Sequence, residues 1–344
     1  MNIKILKIFI VLSSITFIYS CNNNPVTITT PGTISDTVDY YDWDSVYIGG
    51  LLLNVYVADS NNIWIASIPG GYFYDGTSMS YLNLGSEFRL YNLGGYDKQN
   101  IFYGGRSSII NNESMSTMKK STNGVITTTI ILDSTGGNVF DVFVENQDNA
   151  WFSTELSNNI FNYTNGNINK YTLNEDARRG WFFRNPAGNL YYFGFDFNAS
   201  EPDLLFTYKF DENNFNLIKT DTMNLNGGGL SEYIFRCGDD AVMGYSRNYY
   251  YFTGSEWAFH SSNVGPLKLG GFSKDSLVSM TNPFSDFYIY GSDHKWRIEN
   301  DKPGLPLSAD LLHTNLMIVE GRVYTTFYSY NTAQSYLIIG KPTK

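Results

Sequence analysis

The clearest alternation of apolar and polar positions in the chain lies in Asn61–Gly76. Ile63 and Ile65, then Tyr72 and Tyr74, keep a period of two on either side of Pro69-Gly70-Gly71. That predicts a strand, a short turn and a second strand, closed by Asp75-Gly76. The phrase recurs. Steps equivalent to Ile63-Trp64 are Ile101-Phe102, Ala150-Trp151, Leu190-Tyr191, Ala241-Val242, Leu277-Val278 and Val323-Tyr324, at spacings of 38, 49, 40, 51, 36 and 46 residues. A polar or turn-forming residue precedes most of them: Asn62, Asn100, Asn149, Asn189, Asp240 and Ser276. A further strand follows most of them: Tyr72–Asp75, Ile160–Tyr163, Leu205–Phe210, Tyr249–Phe252, Phe287–Tyr290 and Tyr336–Ile339.

Short strands repeating every 40 or so residues match the length of one four-stranded propeller blade, roughly 40–45 residues. One such unit cannot bury both faces of its sheet, so neighbours must stack around an axis. Seven units, with no helical periodicity after Asn22, predict an all-β fold: a seven-bladed β-propeller of four-stranded antiparallel blades. A pair of β-sandwiches and a β-helix are the alternatives. The second unit fits worst, since Ile109-Ile110 offers only the stub of a next strand. Asp39–Val46 precedes the first unit and is placed as the outermost strand beside Tyr336–Ile339, which would leave no open edge.

The N-terminus follows another pattern. Lys4 and Lys7 precede an apolar run, Ile8–Ile18, that is too short to span a bilayer comfortably. Ile18-Tyr19-Ser20-Cys21 resembles the lipobox of bacterial lipoproteins. That resemblance implies a signal peptide over residues 1–20, lipidation of Cys21, and anchoring in the bacterial cell envelope, with the outer membrane expected. Residues 21–36, rich in Asn, Thr and Pro, read as a flexible tether, and residues 37–344 as one propeller domain. With Cys21 acylated, Cys237 has no cysteine to pair with.

Two phrases carry a second resemblance. Asn61–Ser67 with Gly70–Gly76, and Asp148–Thr154 with Tyr163–Gly166, resemble the two-component regulator propeller repeat. The resemblance implies an extracytoplasmic, ligand-binding propeller. The sensor-kinase context of that family does not carry over, because this chain has no room for a kinase and no second membrane segment.

Charge narrows the partners. The net charge is −10, and no basic run is present, so nucleic acid is not an expected partner. Aromatic residues reach 17%. They fit half-buried strands without any special binding role. His260, His294 and His313 fall in three different units without metal-ligand spacing, and are read as surface or turn residues. Asp211-Glu212-Asn213-Asn214 has calcium-ligand chemistry, but an acidic strand turn is the commoner meaning of such a run. Gly244-Tyr245-Ser246-Arg247-Asn248 fails the nucleophile-elbow pattern at its last position. No cofactor or metal motif is found and no catalytic residue is assigned.

The expected site is therefore a binding surface. In a propeller, the loops between second and third strands share a face with the blade-to-blade connections. The sequence places Arg106, Glu155, Asp196, Tyr245, Arg247 and Tyr328 in the former, and Arg178, Arg179 and Trp181 on or beside the connection Glu175–Gly180. Arginines beside aromatics suit an anionic or hydroxyl-rich ligand such as an acidic sugar. The leading expectation is a non-enzymatic binding or scaffolding module for a glycan or an envelope protein. The alternatives are a glycosidase or lyase with paired carboxylates, and a structural partner in an envelope complex.

Overall fold

The computed structural model describes residues 37–38, 40–68, 70–109, 113–134, 137–196, 203–223, 233–245, 248–262, 268–280, 287–299, 311–329 and 334–343. They form seven sheets and no helix. From the axis outward, blade 1 is Leu51–Asp59, Asn62–Ile68, Gly71–Tyr74 and Met79–Leu82. Blade 2 is Phe88–Gly95, Asn100–Ile109, Glu113–Thr122 and Val125–Asp133. Blade 3 is Val139–Asn146, Asn149–Thr154, Asn159–Thr164 and Asn167–Thr172. Blade 4 is Arg178–Arg184, Leu190–Asp196, Asp203–Asp211 and Asn214–Met223. Blade 5 is Tyr233–Cys237, Asp240–Tyr245, Asn248–Phe252 and Trp257–Ser262. Blade 6 is Lys268–Ser273, Ser276–Met280, Phe287–Tyr290 and Trp296–Glu299. Blade 7 takes Leu311–Val319, Arg322–Ser329 and Gln334–Pro342 from the end of the chain, and its outer strand, Tyr41–Ile48, from the beginning.

The repeating step is the second strand of each blade. Ile63, Ile101, Ala150, Leu190, Ala241, Leu277 and Val323 are all fully buried. Successive side chains on a strand point to opposite faces. Ile63 accordingly packs into the seam between blades 7 and 1, and Trp64 into the seam between blades 1 and 2. Leu190 and Tyr191 divide the same way between the seams on either side of blade 4. The chain thus needs two adjacent apolar residues at each step, because each blade has a seam on both sides. Seven apolar clusters result, one for each pair of neighbouring blades.

The polar residue before the step has a local role. In blade 1 the Asn62 side chain donates to Asp59 Oδ1 at 2.8 Å, and Asn61 N donates to the same oxygen at 2.9 Å. In blade 2 the Gln99 and Asn100 amides and the Asn100 side chain all donate to Asp97. These Asx-type bonds fix the turn between inner and second strands. Asp211–Asn214 is likewise a tight hairpin turn, with Glu212 and Asn213 at φ 47° and 84°.

Blade 2 overturns the expectation of a stub. Ile109 ends a ten-residue second strand, and Glu113–Thr122 is a full third strand. Its buried positions hold Ser116, Thr117, Lys120 and Ser121 beside Met118, so no apolar alternation marks it. Lys120 lies over the Phe102 and Tyr163 rings and ends on Asp148 at 2.7 Å.

The ring closes as the sequence predicts. Tyr41–Ile48 pairs antiparallel with Gln334–Pro342 from Tyr41↔Pro342 to Ile48↔Ser335. Just before it, Thr37–Val38 adds a parallel fifth strand to blade 6, and the Tyr40 amide donates to the buried Glu299 carboxylate at 3.1 Å. The first strands of the chain therefore tie two blades.

Candidate functional site

The inner strands surround a channel of about 540 Å³. Its wall is mostly apolar, with Val55, Leu93, Val142, Ile234, Leu269 and Leu316 among the residues that line it. The polar lining follows a rule. Nine residues before the steps at Ile63, Ile101 and Ala150 stand Asn54, Asn92 and Asp141. Each follows a break in strand register, at Leu52/Asn54, Leu90/Asn92 and Val139/Asp141. A bulge re-aims the following side chain, and these reach the neighbouring blade. Asn54 donates to Asn92 Oδ1, and Asn92 donates to the Phe140 carbonyl. Asp141 accepts from the Phe182 amide at 3.0 Å and from Arg236. Arg236 also donates to the Phe182 carbonyl at 2.7 Å and lies 4.8 Å from the Phe143 ring centre. Burial pushes the Asp141 carboxyl up, and Arg236 opposes that shift.

A second polar group stands on the face where the inner strands begin. Glu155, in the connection between the second and third strands of blade 3, lines the channel. It accepts from the Asn138 side chain at 2.7 Å and pairs with Arg179 at 2.5 Å. Arg179 has φ +50° within the irregular register of Arg178–Trp181. Gly180 permits that bend, since a Cβ there would meet Tyr192 at 2.3 Å. Trp181 lines the channel and sets its ring edge-to-face on Phe140 at 4.9 Å. At Trp181 the nine-residue rule gives blade 4 an aromatic side chain instead of an amide or acid.

The structure thus brings together Glu155, Arg179 and Trp181. Arg178 turns outward into an exposed bidentate pair with Asp176. Asp196 ends the second strand of blade 4, close enough for its charge to act on Arg178. Arg106 is not on a loop: the second strand of blade 2 runs on to Ile109, and Arg106 pairs across it with Arg89 and Ser116. Tyr328 is also a strand residue, opposite Leu312 and Ser335. Tyr245 is the last residue of its strand, and its side chain, like Arg247, lies outside the described residues. Sequence reasoning missed Asn54, Asn92, Asn138, Asp141 and Arg236. The first two and Asp141 were detectable, because they repeat with the same spacings as the steps.

The histidine reading needs correction. The His260 side chain is about nine-tenths buried, and both it and His294 approach Asp275 Oδ1 at 3.7 Å. His294 is a turn residue, as expected. His313 lies on the inner strand of blade 7, but its side chain is outside the described residues.

Among solved structures, YCF48 bound to D1 peptide matches with a TM-score of 0.62 at 13% identity, covering 90% of this chain and 99% of that one. The Neurospora crassa Pan2 WD40 domain gives 0.61 at 10% identity, covering 90% and 98%. A streptogramin B lyase gives 0.60 at 9% identity, covering 88% and 98%. At such identities the likeness shows the fold alone, a seven-bladed β-propeller. The sequence matches no family model and no curated protein.

Proposed function

We propose that the protein is a lipid-anchored, extracytoplasmic propeller that binds a glycan, with an acidic sugar as first choice, at the mouth of its channel and does no chemistry on it. The carrying observation is the Glu155–Arg179 pair, with Asn138 and Trp181, at one end of a preformed channel. A few convergent polar groups beside an aromatic ring on a rigid scaffold make a binding site. A guanidinium offers planar, multi-donor contacts to a carboxylate or to vicinal hydroxyls. The fold itself leaves function open, since one neighbour is a peptide complex and another is a lyase. The resemblance of two blades to two-component regulator repeats supports binding. The lipobox resemblance at Cys21 supports anchoring.

The enzymatic alternative rests on Asp141 and Glu155, both in the channel wall. Each is already bonded to an arginine, which favours binding over acid–base work. The test is a glycan array followed by calorimetry on the hits. Arg179→Ala and Trp181→Ala should weaken binding at least about tenfold, and Arg106→Ala should leave it unchanged. Normal binding by both channel variants would remove the site. Release of shorter sugars from a bound glycan would establish the glycosidase or lyase instead.

Anchoring is tested separately. Cys21→Ser should move the protein from the membrane to the soluble fraction. A variant that stays membrane-bound would refute lipidation as the anchor.

A further inference from the structure

The bulges that re-aim Asn54, Asn92 and Asp141 also leave one residue each outside the cross-strand register. Leu52 and Asn54 pair with Ser67 and Ala66, Leu90 and Asn92 with Gly105 and Gly104, and Val139 and Asp141 with Thr154 and Ser153. The extra residues are Leu53, Tyr91 and Phe140, each ten positions before its step. All three are half-buried and line the channel. Leu53 also packs into the seam of blades 1 and 2. Among the described residues, Tyr91 and Phe140 belong to none of the seven seam clusters. Packing between blades therefore does not account for two aromatic rings at this level of the channel wall.

Their neighbours hold them in a row. Asn92, next to Tyr91, donates to the Phe140 carbonyl and so joins blade 2 to blade 3. Phe140 meets the Trp181 ring edge-to-face at 4.9 Å, which joins blade 3 to blade 4. Two residues before Trp181 stands Arg179, whose guanidinium reaches Glu155 at 2.5 Å. From blade 2 to blade 4 the wall thus carries Tyr91, Phe140 and Trp181, and ends on the charged pair. Bulges beside binding and active sites serve to re-aim side chains. A sugar unit has an apolar C–H face and a rim of hydroxyls. An aromatic row can cover the face, and the polar groups at its end fix the orientation. The channel of about 540 Å³ falls in the range of pockets that hold drug-sized ligands, larger than one sugar ring.

We propose that the ligand is a linear oligosaccharide of two or more units, its acidic unit held at Glu155 and Arg179 and its next unit packed on Tyr91, with Phe140 between them. This deepens the glycan reading and rests on it. Arg179 then selects charge, and Tyr91 selects length. A single sugar reaches only the Trp181 end of the row and gains nothing from Tyr91. A second unit covers the Tyr91 ring, and the gain follows from the apolar area that this removes from water.

The test uses the full-length protein in detergent, titrated by calorimetry with galacturonic and mannuronic acid and with their linear oligomers of two to four units. Affinity should rise at least about tenfold from one unit to two. Tyr91→Ala should abolish that rise and leave the affinity for the single unit as it was. Tyr91→Phe should keep the rise, because the ring remains. Arg179→Ala should weaken binding at every length. Tyr96→Ala, at an exposed tyrosine just past the other end of the same strand, should change nothing. Tyr91 packs into no seam, so its variants keep the fold, as circular dichroism would verify. Suppose Arg179→Ala weakens binding, but one and two units bind equally, or the rise survives Tyr91→Ala. Either result would overturn the second subsite and leave the reading of the mouth standing. Failure of the wild type to bind any of these acids would remove the acidic-sugar reading and this inference with it.

Discussion

At the residue scale, the Arg236–Asp141 pair in the channel wall and the Arg178–Asp176 pair facing solvent differ in what their loss leaves behind. Asp141 in the Arg236 pair has a side chain 7% exposed, whereas Arg178 and Asp176 are each about half exposed. Removing one partner of a buried pair strands a charge, at a cost of about 3–5 kcal/mol, while an exposed pair contributes about 0–1 kcal/mol. Solvent reaches Arg236 in part, so the low end applies. Arg236→Met should lose about 3 kcal/mol in urea denaturation, and Arg178→Met less than about 1 kcal/mol. Equal losses would show that the channel pair is not an effectively buried one. Cys237 gives a second residue-scale prediction. It is wholly buried in the seam of blades 5 and 6, and burial pushes its thiol up. The thiolate is the reactive form. In Cys21→Ser protein, Cys237 should resist thiol reagents at pH 8 until denaturant is added, and fast native labelling would contradict the packing of that seam.

At the element scale, the hairpin turns carry a pH dependence whose sign follows from their bonds. The Asn62 side chain and the Asn61 amide hold the Asp59 carboxyl below its ordinary value. In Asp75 the donors are the amides and hydroxyls of Ser78 and Thr77, with the same direction. A carboxyl whose folded pKa is depressed stabilises the fold above its unfolded value, about 3.9, and loses that contribution as pH falls through the folded value. The melting temperature should therefore fall between pH 5 and pH 3, and less steeply in an Asp59→Asn, Asp75→Asn double variant. Identical slopes would show that these turns do not titrate with folding. The steps themselves are buried in the seams between blades. Ile63→Ala opens space in a closed seam and should cost about 2–5 kcal/mol.

At the scale of the whole molecule, stability depends on closure. Tyr41–Ile48 supplies eight paired residues to blade 7 and buries Tyr41 and Ile48 in the seams on its two sides. Deleting Asn22–Thr33 should leave the melting temperature nearly unchanged. Deleting through Val46 should lower it sharply, because the last blade then has an open edge and two thinned seams. Equal melting temperatures for the two truncations would contradict closure by the N-terminal strand.

The sequence alone determined the number of blades, the step residues and the closing strand. Each blade must bury both faces, and that requirement writes itself into the chain as adjacent apolar pairs at a regular interval. It also contained the Asn54, Asn92 and Asp141 positions, at the same interval, although polar side chains in a channel wall do not announce a buried role. The third strand of blade 2 escaped because Ser, Thr and a paired Lys fill its buried positions. Loop boundaries at Arg106 and Tyr328 were misplaced because strand length is set by pairing with the neighbour, which local pattern does not encode. Only the tertiary structure decided that Arg179 joins Glu155 while its neighbour Arg178 turns to solvent. A register shift and a left-handed backbone at a single residue make that choice. It alone brought His260 and His294 to one oxygen of Asp275. Residues in separate repeats meet only where two blades are pressed together, and the seam that does so is a product of the closed ring.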